Sequence, residues 1–333
     1  MDKPDGERVK QASDGRVRAA GMLLIHGAWQ GSWAWDAWLS PMQARGWFPR
    51  AVDLPGNGAP VAADAVHYEA SLDGYVAYLE SLLDDNDGPV VVVAHSGAGV
   101  IASQLAEAYP QRIACIVYVA GMMLPSGMGY GDLVKASEAD VPGASGIAPW
   151  LVWSDQGAVS SVPAQTALEI FLHDCPPDAA EQAAHKLTPQ RETGRAIAAQ
   201  LSEARFGRVP RIYVEALRDR SVLLPLQRRM QGLVPGARVY SIDTGHVPQL
   251  ARPEALADIV CEALGELHIV PGGLQGAATA TDIEGGIEAR YEAPINPAFD
   301  ASMDASTAAE AQGSPHASSA SGPSISSSST SKR

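Results

Sequence analysis

Val90-Val91-Val92-Val93-Ala94-His95-Ser96-Gly97-Ala98-Gly99 passes from strand to turn to helix without a break. Four consecutive valines read as a strand buried on both faces. A small-residue turn follows, and then Val100, Ile101, Leu105 and Ala106 recur at helical spacing. A serine on so sharp a strand-to-helix turn is a nucleophile elbow, whose strained backbone demands small neighbours. The usual pattern is Gly-x-Ser-x-Gly. Here Ala94 and Ala98 take the flanking places, which keeps the steric requirement while departing from the motif. A serine at this place can also cap the helix it precedes. Its companions elsewhere in the chain favour the catalytic reading.

Upstream, Met22-Leu23-Leu24-Ile25 reads as another buried strand and runs into His26-Gly27-Ala28-Trp29. His26 reads as a structural hydrogen-bonding residue at the strand end. Downstream, Thr244-Gly245-His246-Val247-Pro248 follows a strand at 237–242 and precedes a helix that opens near Pro253. A histidine on such a loop can hang over the end of a sheet that also presents Ser96. Between them, Arg211 to Leu217 reads as a strand, with Asp219 just past its end and Glu215 inside it as the rival carboxylate. Asp243 stands too close to His246 in the chain to reach its ring easily and reads as a turn former.

Strands and helices alternate from residue 22 to about 122, including an amphipathic helix over Ser71 to Leu83. From about 124 to 208 the chain reads as helix and loop, broken by seven prolines from Pro125 to Pro189. Alternation resumes at Arg211. This organisation predicts one α/β domain over 21–267, with a mostly parallel sheet flanked by helices and a helical lid at about 124–208 inserted before the acid. Residues 1–20 read as a flexible segment. Residues 268–333, rich in Ala, Ser, Gly and Pro, read as a disordered low-complexity tail.

The 333 residues carry 46% hydrophobic and 19% charged side chains, an ordinary soluble composition. The formal net charge of −14 argues against nucleic acid or an anionic membrane as partner. Three widely spaced cysteines, Cys115, Cys175 and Cys261, offer neither a disulfide framework nor a metal pattern. With no signal-peptide pattern at Met1 to Ala20 and no run long enough to cross a bilayer, the expected location is cytoplasmic.

In this order and spacing, His26-Gly27-Ala28-Trp29, Asp53-Leu54-Pro55-Gly56-Asn57-Gly58, the Ser96 elbow, Asp219 with Pro225 to Met230, and Gly245-His246-Val247-Pro248 resemble the α/β-hydrolase superfamily. The resemblance covers residues 22–267. It is nearest to the branch holding plant methylesterases, hydroxynitrile lyases and bacterial pyrethroid-hydrolase-like carboxylesterases. It implies a Ser96–His246–Asp219 triad in which Ser96 attacks, His246 carries the proton and Asp219 holds the imidazole. It also implies an oxyanion hole formed by the Ala28 and Gly97 N–H groups, and no metal or organic cofactor. Val247 and Gly27-Ala28 replace the lysine and threonine that the lyases carry at those places. Ser96 stands where haloalkane dehalogenases and epoxide hydrolases carry aspartate.

The substrate clues are apolar. Trp150 and Trp153 lie in the lid and Met123 near its start. Trp29 divides evenly between pocket wall and core, while Trp35 and Trp38 read as core. Arg228 and Arg229 read as solvated or salt-bridged surface. The expected function is hydrolysis of a hydrophobic carboxylic ester, aromatic esters included, through an acyl-enzyme. Lactonase, amidase or C–C hydrolase chemistry on the same triad, or a slow-turnover receptor, are the alternatives. The oligomeric state is open.

Overall fold

The structure, a computed structural model, describes residues 15–57, 67–84 and 88–272. Residues 1–14 and 273–333, in which most of the expected flexible segment and tail fall, lie outside them. The chain opens with β1 (Val17–Ala19) and β2 (Met22–Ile25), then α1 (Asp36–Ala44), β3 (Pro49–Val52), α2 (Leu72–Asp84), β4 (Val90–His95), α3 (Ala98–Ala108) and β5 (Ile113–Val119). The lid follows, with α4 (Tyr130–Ser137), β6 (Val152–Ser154), β7 (Val159–Ser161), α5 (Ala164–Ile170), α6 (Pro177–Lys186), β8 (Gln190–Arg191) and α7 (Glu192–Arg195). The chain then returns through β9 (Arg211–Ala216), α8 (Leu224–Leu233), β10 (Arg238–Ile242), α9 (Pro248–Ala251), α10 (Pro253–Glu266) and β11 (Ile269–Pro271).

Six strands form one sheet in the order β10-β9-β5-β4-β2-β3, every neighbouring pair parallel. The apolar runs that signalled the central strands are buried throughout, and their alternate residues face two different layers. Leu23, Ile25, Val90, Val92 and Ala94 pack with Leu79 of α2 and with Ile101 and Leu105 of α3. Met22, Leu24, Val91 and Val93 pack with Trp38 and Met42 of α1 and with Leu256, Val260 and Leu264 of α10. Trp35 and Trp38 are fully buried in that second layer, as the sequence predicts.

The lid departs from the helix-and-loop expectation. β6, β7 and β8 make a three-stranded antiparallel sheet, and β6 turns into β7 through Asp155, Gln156 and Gly157, all at positive φ. The strands are too short, and their turn too irregular, to leave a period-two signal. The domain also reaches beyond 21–267 at both ends. β1 pairs in parallel with β11, Val17 opposite Ile269 and Ala19 opposite Pro271, and Ile269 is buried in the core.

Because β2 and β4 are adjacent while the chain continues from them in opposite directions across the sheet, their C-terminal ends flank a topological switch point. Open α/β sheets bind ligands in that crevice. The two loops there are His26 to Trp29 and the Ser96 elbow.

Candidate active site

Ser96 stands at φ +54, in the left-handed region, at the junction of β4 and α3. That conformation costs a non-glycine residue about 1–3 kcal/mol and persists only where the surroundings over-determine it. Here the Ser96 N–H donates to Val119 O at 3.2 Å, and Ser96 O accepts from the N–H groups of Gly99 and Met122 at 3.0 and 2.8 Å. Ala94 and Ala98 are buried beside it. A Cβ at Gly99 would lie 2.7 and 2.8 Å from the Met122 backbone N and O, so the helix can pack this closely only without a side chain there.

The three residues expected to act together converge. His246 Nε2 lies 3.1 Å from Ser96 Oγ, and His246 Nδ1 lies 2.7 Å from Asp219 Oδ2. All three are buried. Asp219 sits in the turn after β9, where its Oδ1 accepts from the N–H groups of Ser221 and Val222 at 2.7 and 2.9 Å. Gln227 of α8, fully buried, approaches Oδ2 at 3.4 Å and binds both backbone groups of Ala216. Glu215 points to a different partnership, with Arg228 at 3.0 Å, Gln231 and Ser241. Burial raises the pKa of its carboxyl, but those hydrogen bonds outweigh burial and leave it below the ordinary range. Asp243 pairs with Arg218 at 2.8 Å.

Across the crevice, His26 donates from Nδ1 to Gly27 O at 2.8 Å and accepts the Leu54 N–H on Nε2 at 3.1 Å. Gly27 O shares a peptide plane with the Ala28 N–H, so His26 orients that amide. Among the described residues neither the Ala28 nor the Gly97 N–H donates to a protein acceptor. Burial holds the His26 pKa below its ordinary value, which keeps the imidazole neutral and able to accept at Nε2. His95 joins the two sides. Its Nε2 donates to His246 O at 2.7 Å, and its Nδ1 stands 3.0 Å from Gln30 Oε1, the oxygen that accepts the Gly27 N–H at 3.1 Å. Sequence reasoning missed His95, Gln30 and Gln227 as supports. The one trace of His95 and Gln30 is a polar side chain in a stretch that is otherwise apolar or tightly turned, and Gln227, beside Arg228 and Arg229, leaves none.

The substrate-side expectations fare differently. Trp29 is buried beside the crevice, and its ring centroid stacks 6.0 Å from Phe171 of the lid, whose own ring centroid lies 5.2 Å from that of His246. Met123 is instead core, packed with Ala94, Ala98 and Tyr118 beneath the sheet end. Its neighbour Met122 approaches the elbow, with Sδ 4.0 Å from where a Gly97 Cβ would stand. Trp150 is 60% exposed, and all three residues of β6, Trp153 among them, are exposed. The lid's buried face is filled by Ile147, Leu151, Val162 and Phe171, packed with Trp29 and Val247. Among the described residues no three His, Cys, Asp or Glu side chains converge as metal ligands, and no helix is long and apolar enough to cross a membrane.

Residues 22–259 match the model of the alpha/beta hydrolase family. Among curated proteins, a pyrethroid hydrolase of Sphingobium wenxiniae is 26% identical over 72% of this chain and 86% of its own length. Methylesterase 7 of Arabidopsis thaliana is 28% identical over 72% of this chain and 94% of its own. Among solved structures, a pyrethroid hydrolase superposes with a TM-score of 0.63 at 25% identity, covering 74% of this chain and 98% of that one. Polyneuridine aldehyde esterase gives 0.63 at 21% identity over 74% and 99%, a likeness of fold.

Proposed function

The chain belongs to the alpha/beta hydrolase family, and from that premise we propose that it is a serine carboxylesterase that cleaves a hydrophobic carboxylic ester through an acyl-enzyme. The observation that carries the reading is the relay from Ser96 Oγ through His246 to Asp219, at 3.1 and 2.7 Å. Ser96 Oγ attacks the acyl carbon as His246 Nε2 takes its proton. The carbonyl oxygen becomes an oxyanion that receives the Ala28 and Gly97 N–H groups. Asp219 holds the imidazolium and keeps Nδ1 protonated. Collapse expels the alcohol, which takes the proton from Nε2. A water then repeats the sequence on the acyl-enzyme and releases the acid. The relatives that act on esters support the reaction class, and the apolar residues packed beside the crevice, Phe171, Leu151 and Val247, support a hydrophobic substrate.

Hydrolysis of p-nitrophenyl acetate, butyrate and octanoate by the wild type and by Ser96→Ala tests this. The wild type turns over at least one of them, and the variant loses kcat by a factor on the order of 10⁴ or more. A folded Ser96→Ala that hydrolyses at the wild-type rate overturns the reading.

A further inference from the structure

Trp29 combines two features that a pocket wall does not need. Its backbone stands at φ +61, a region that a bulky residue adopts only when held there. Every polar group it has is bound, and every partner belongs to the lid. The backbone N–H donates to Gln190 Oε1 at 2.8 Å, the carbonyl accepts from the Thr188 N–H at 2.9 Å, and the indole N–H donates to Ser160 Oγ at 3.1 Å. Ser160 and Gln190 face each other across the β7–β8 pair, and both are buried. Ser160 in turn donates to Glu192 Oε1 at 2.9 Å, and Glu192 grips Arg195 through both carboxylate oxygens. The Arg195 guanidinium lies 5.6 Å from the Trp29 ring and 5.8 Å from that of Trp153.

The consequence lies one residue upstream. The Trp29 N–H belongs to the Ala28–Trp29 peptide, and the Ala28 N–H to the Gly27–Ala28 peptide. His26 holds the second plane through Gly27 O, and Gln190 holds the first through the Trp29 N–H. Ala28 is thereby bracketed, from the core on one side and from the lid on the other. We propose that Trp29 is a positioning residue of the oxyanion hole, set in place by Ser160 and Gln190 of the lid sheet, so that the seated lid fixes the direction of the Ala28 amide. The proposal rests on the esterase reading, in which Ala28 supplies an oxyanion donor. It gives the small sheet of the lid a role in rate as well as in substrate fit.

The test follows kcat and KM separately for p-nitrophenyl butyrate in the wild type, Trp29→Phe, Ser160→Ala, Gln190→Met and the Trp29→Phe/Ser160→Ala double variant, with Ser96→Ala as control. An aliphatic trifluoromethyl ketone serves as a second probe. Ser96 Oγ adds to its carbonyl carbon, the Oγ proton passes to His246, and the ketone oxygen becomes an oxyanion. Trp29→Phe keeps an aromatic ring but loses the N–H donor together with part of the buried indole, and Ser160→Ala, which removes the same hydrogen bond and leaves the indole whole, is the milder change in case the ring variant folds poorly. Expected is a fall in kcat of about tenfold in each single variant, a fraction of what loss of a whole donor costs. KM stays within about twofold, and trifluoromethyl ketone affinity falls in step with kcat. The double variant falls no further than Trp29→Phe, because both changes remove one bond. A rise in KM with kcat and ketone affinity unchanged makes Trp29 a pocket wall and overturns the proposal, as does full additivity in the double variant. Wild-type hydrolysis that survives Ser96→Ala overturns the esterase reading itself, a different and separable failure.

Discussion

A methyl group at position 27 has no room. It would stand 2.8 Å from His95 Nδ1, 3.1 Å from Ser96 Cβ and 3.2 Å from Gln30 Oε1. These atoms belong to the two loops of the switch point and cannot all give way. Gly27→Ala should therefore lower kcat by a factor on the order of 10²–10³, comparable to losing an oxyanion donor, and steady-state kinetics on a folded sample checks it. A variant within twofold of wild type contradicts this geometry. His26 supplies a second residue-scale prediction. Protonation would put a hydrogen on Nε2, where the lone pair now accepts the Leu54 N–H. The unfolded chain takes that proton near the ordinary value of 6.5, while burial lets the folded chain take it only at lower pH. The unfolded state thus binds more protons just below pH 6.5. Stability is fully present above that value and declines as the pH falls beneath it, by up to about 1.4 kcal/mol per pH unit for this one group. Melting temperatures between about pH 7.5 and about pH 5.5 should show the gap between wild type and His26→Gln narrowing on acidification. A constant gap would mean that His26 does not titrate with unfolding.

The lid holds the loop of His246 as well as that of Ala28 and Trp29. Asp174, just beyond α5, accepts the Gly245 N–H on Oδ2 at 2.6 Å, and Arg218 approaches the same oxygen at 3.4 Å. A Cβ at Gly245 would meet His173 at 2.5 Å and Asp174 Oδ1 at 2.6 Å, so the lid presses on the residue that precedes His246. Asp174→Ala strips a buried N–H of its acceptor, at a cost of about 1–3 kcal/mol. Thermal unfolding should show that loss, and kcat should drop as the His246 loop loosens. Unchanged melting together with unchanged kcat would dismiss the latch. These attachments mark the border of what sequence reading reaches. The Val90 run, the elbow and the Gly-His-x-Pro loop carry strong local signals, so Ser96, His246 and Asp219 could be named before any contact was known. Gln190, Ser160 and Asp174 act across 161, 131 and 71 residues of chain. Nothing local sets them apart from the other polar residues of the lid. Trp150, Trp153 and Met123 show the converse. Residue type suggested a pocket, but placement on an exposed strand, an exposed turn and the core decided otherwise.

At the scale of the molecule, a parallel sheet turns four distant stretches into one site. Each strand delivers its following loop to the same edge, so residues 28, 96, 219 and 246 arrive together although more than two hundred residues separate the first from the last. The site can be no firmer than the layers that hold these strands in register. One of those layers is closed at its rim by chain that composition alone assigned to flexible ends. β11 pairs with β1, the Val17 N–H donates to His268 O at 2.9 Å, the Gly272 N–H donates to Ala19 O at 2.7 Å, and Ile269 packs into the layer of α1 and α10. A three-residue strand carries few residues over which a pattern could build, and one buried isoleucine does not alter an average. Two truncations isolate its contribution, since both lack everything beyond residue 272. Compared with the form ending at Gly272, the form ending at Leu267 loses the burial of Ile269 and the pairing with β1, about 3 kcal/mol in all. For a domain of this size that is roughly 6–12 °C in melting temperature. The loops that carry Ser96, Asp219 and His246 follow the C-terminal ends of their strands, whereas this seam adjoins the N-terminal ends of β2 and β4, so kcat measured well below both transitions should be equal in the two forms. Equal melting temperatures would show that the β1–β11 seam adds nothing to the core. A lower kcat in the shorter form would show instead that strand register at the rim is felt at Ser96.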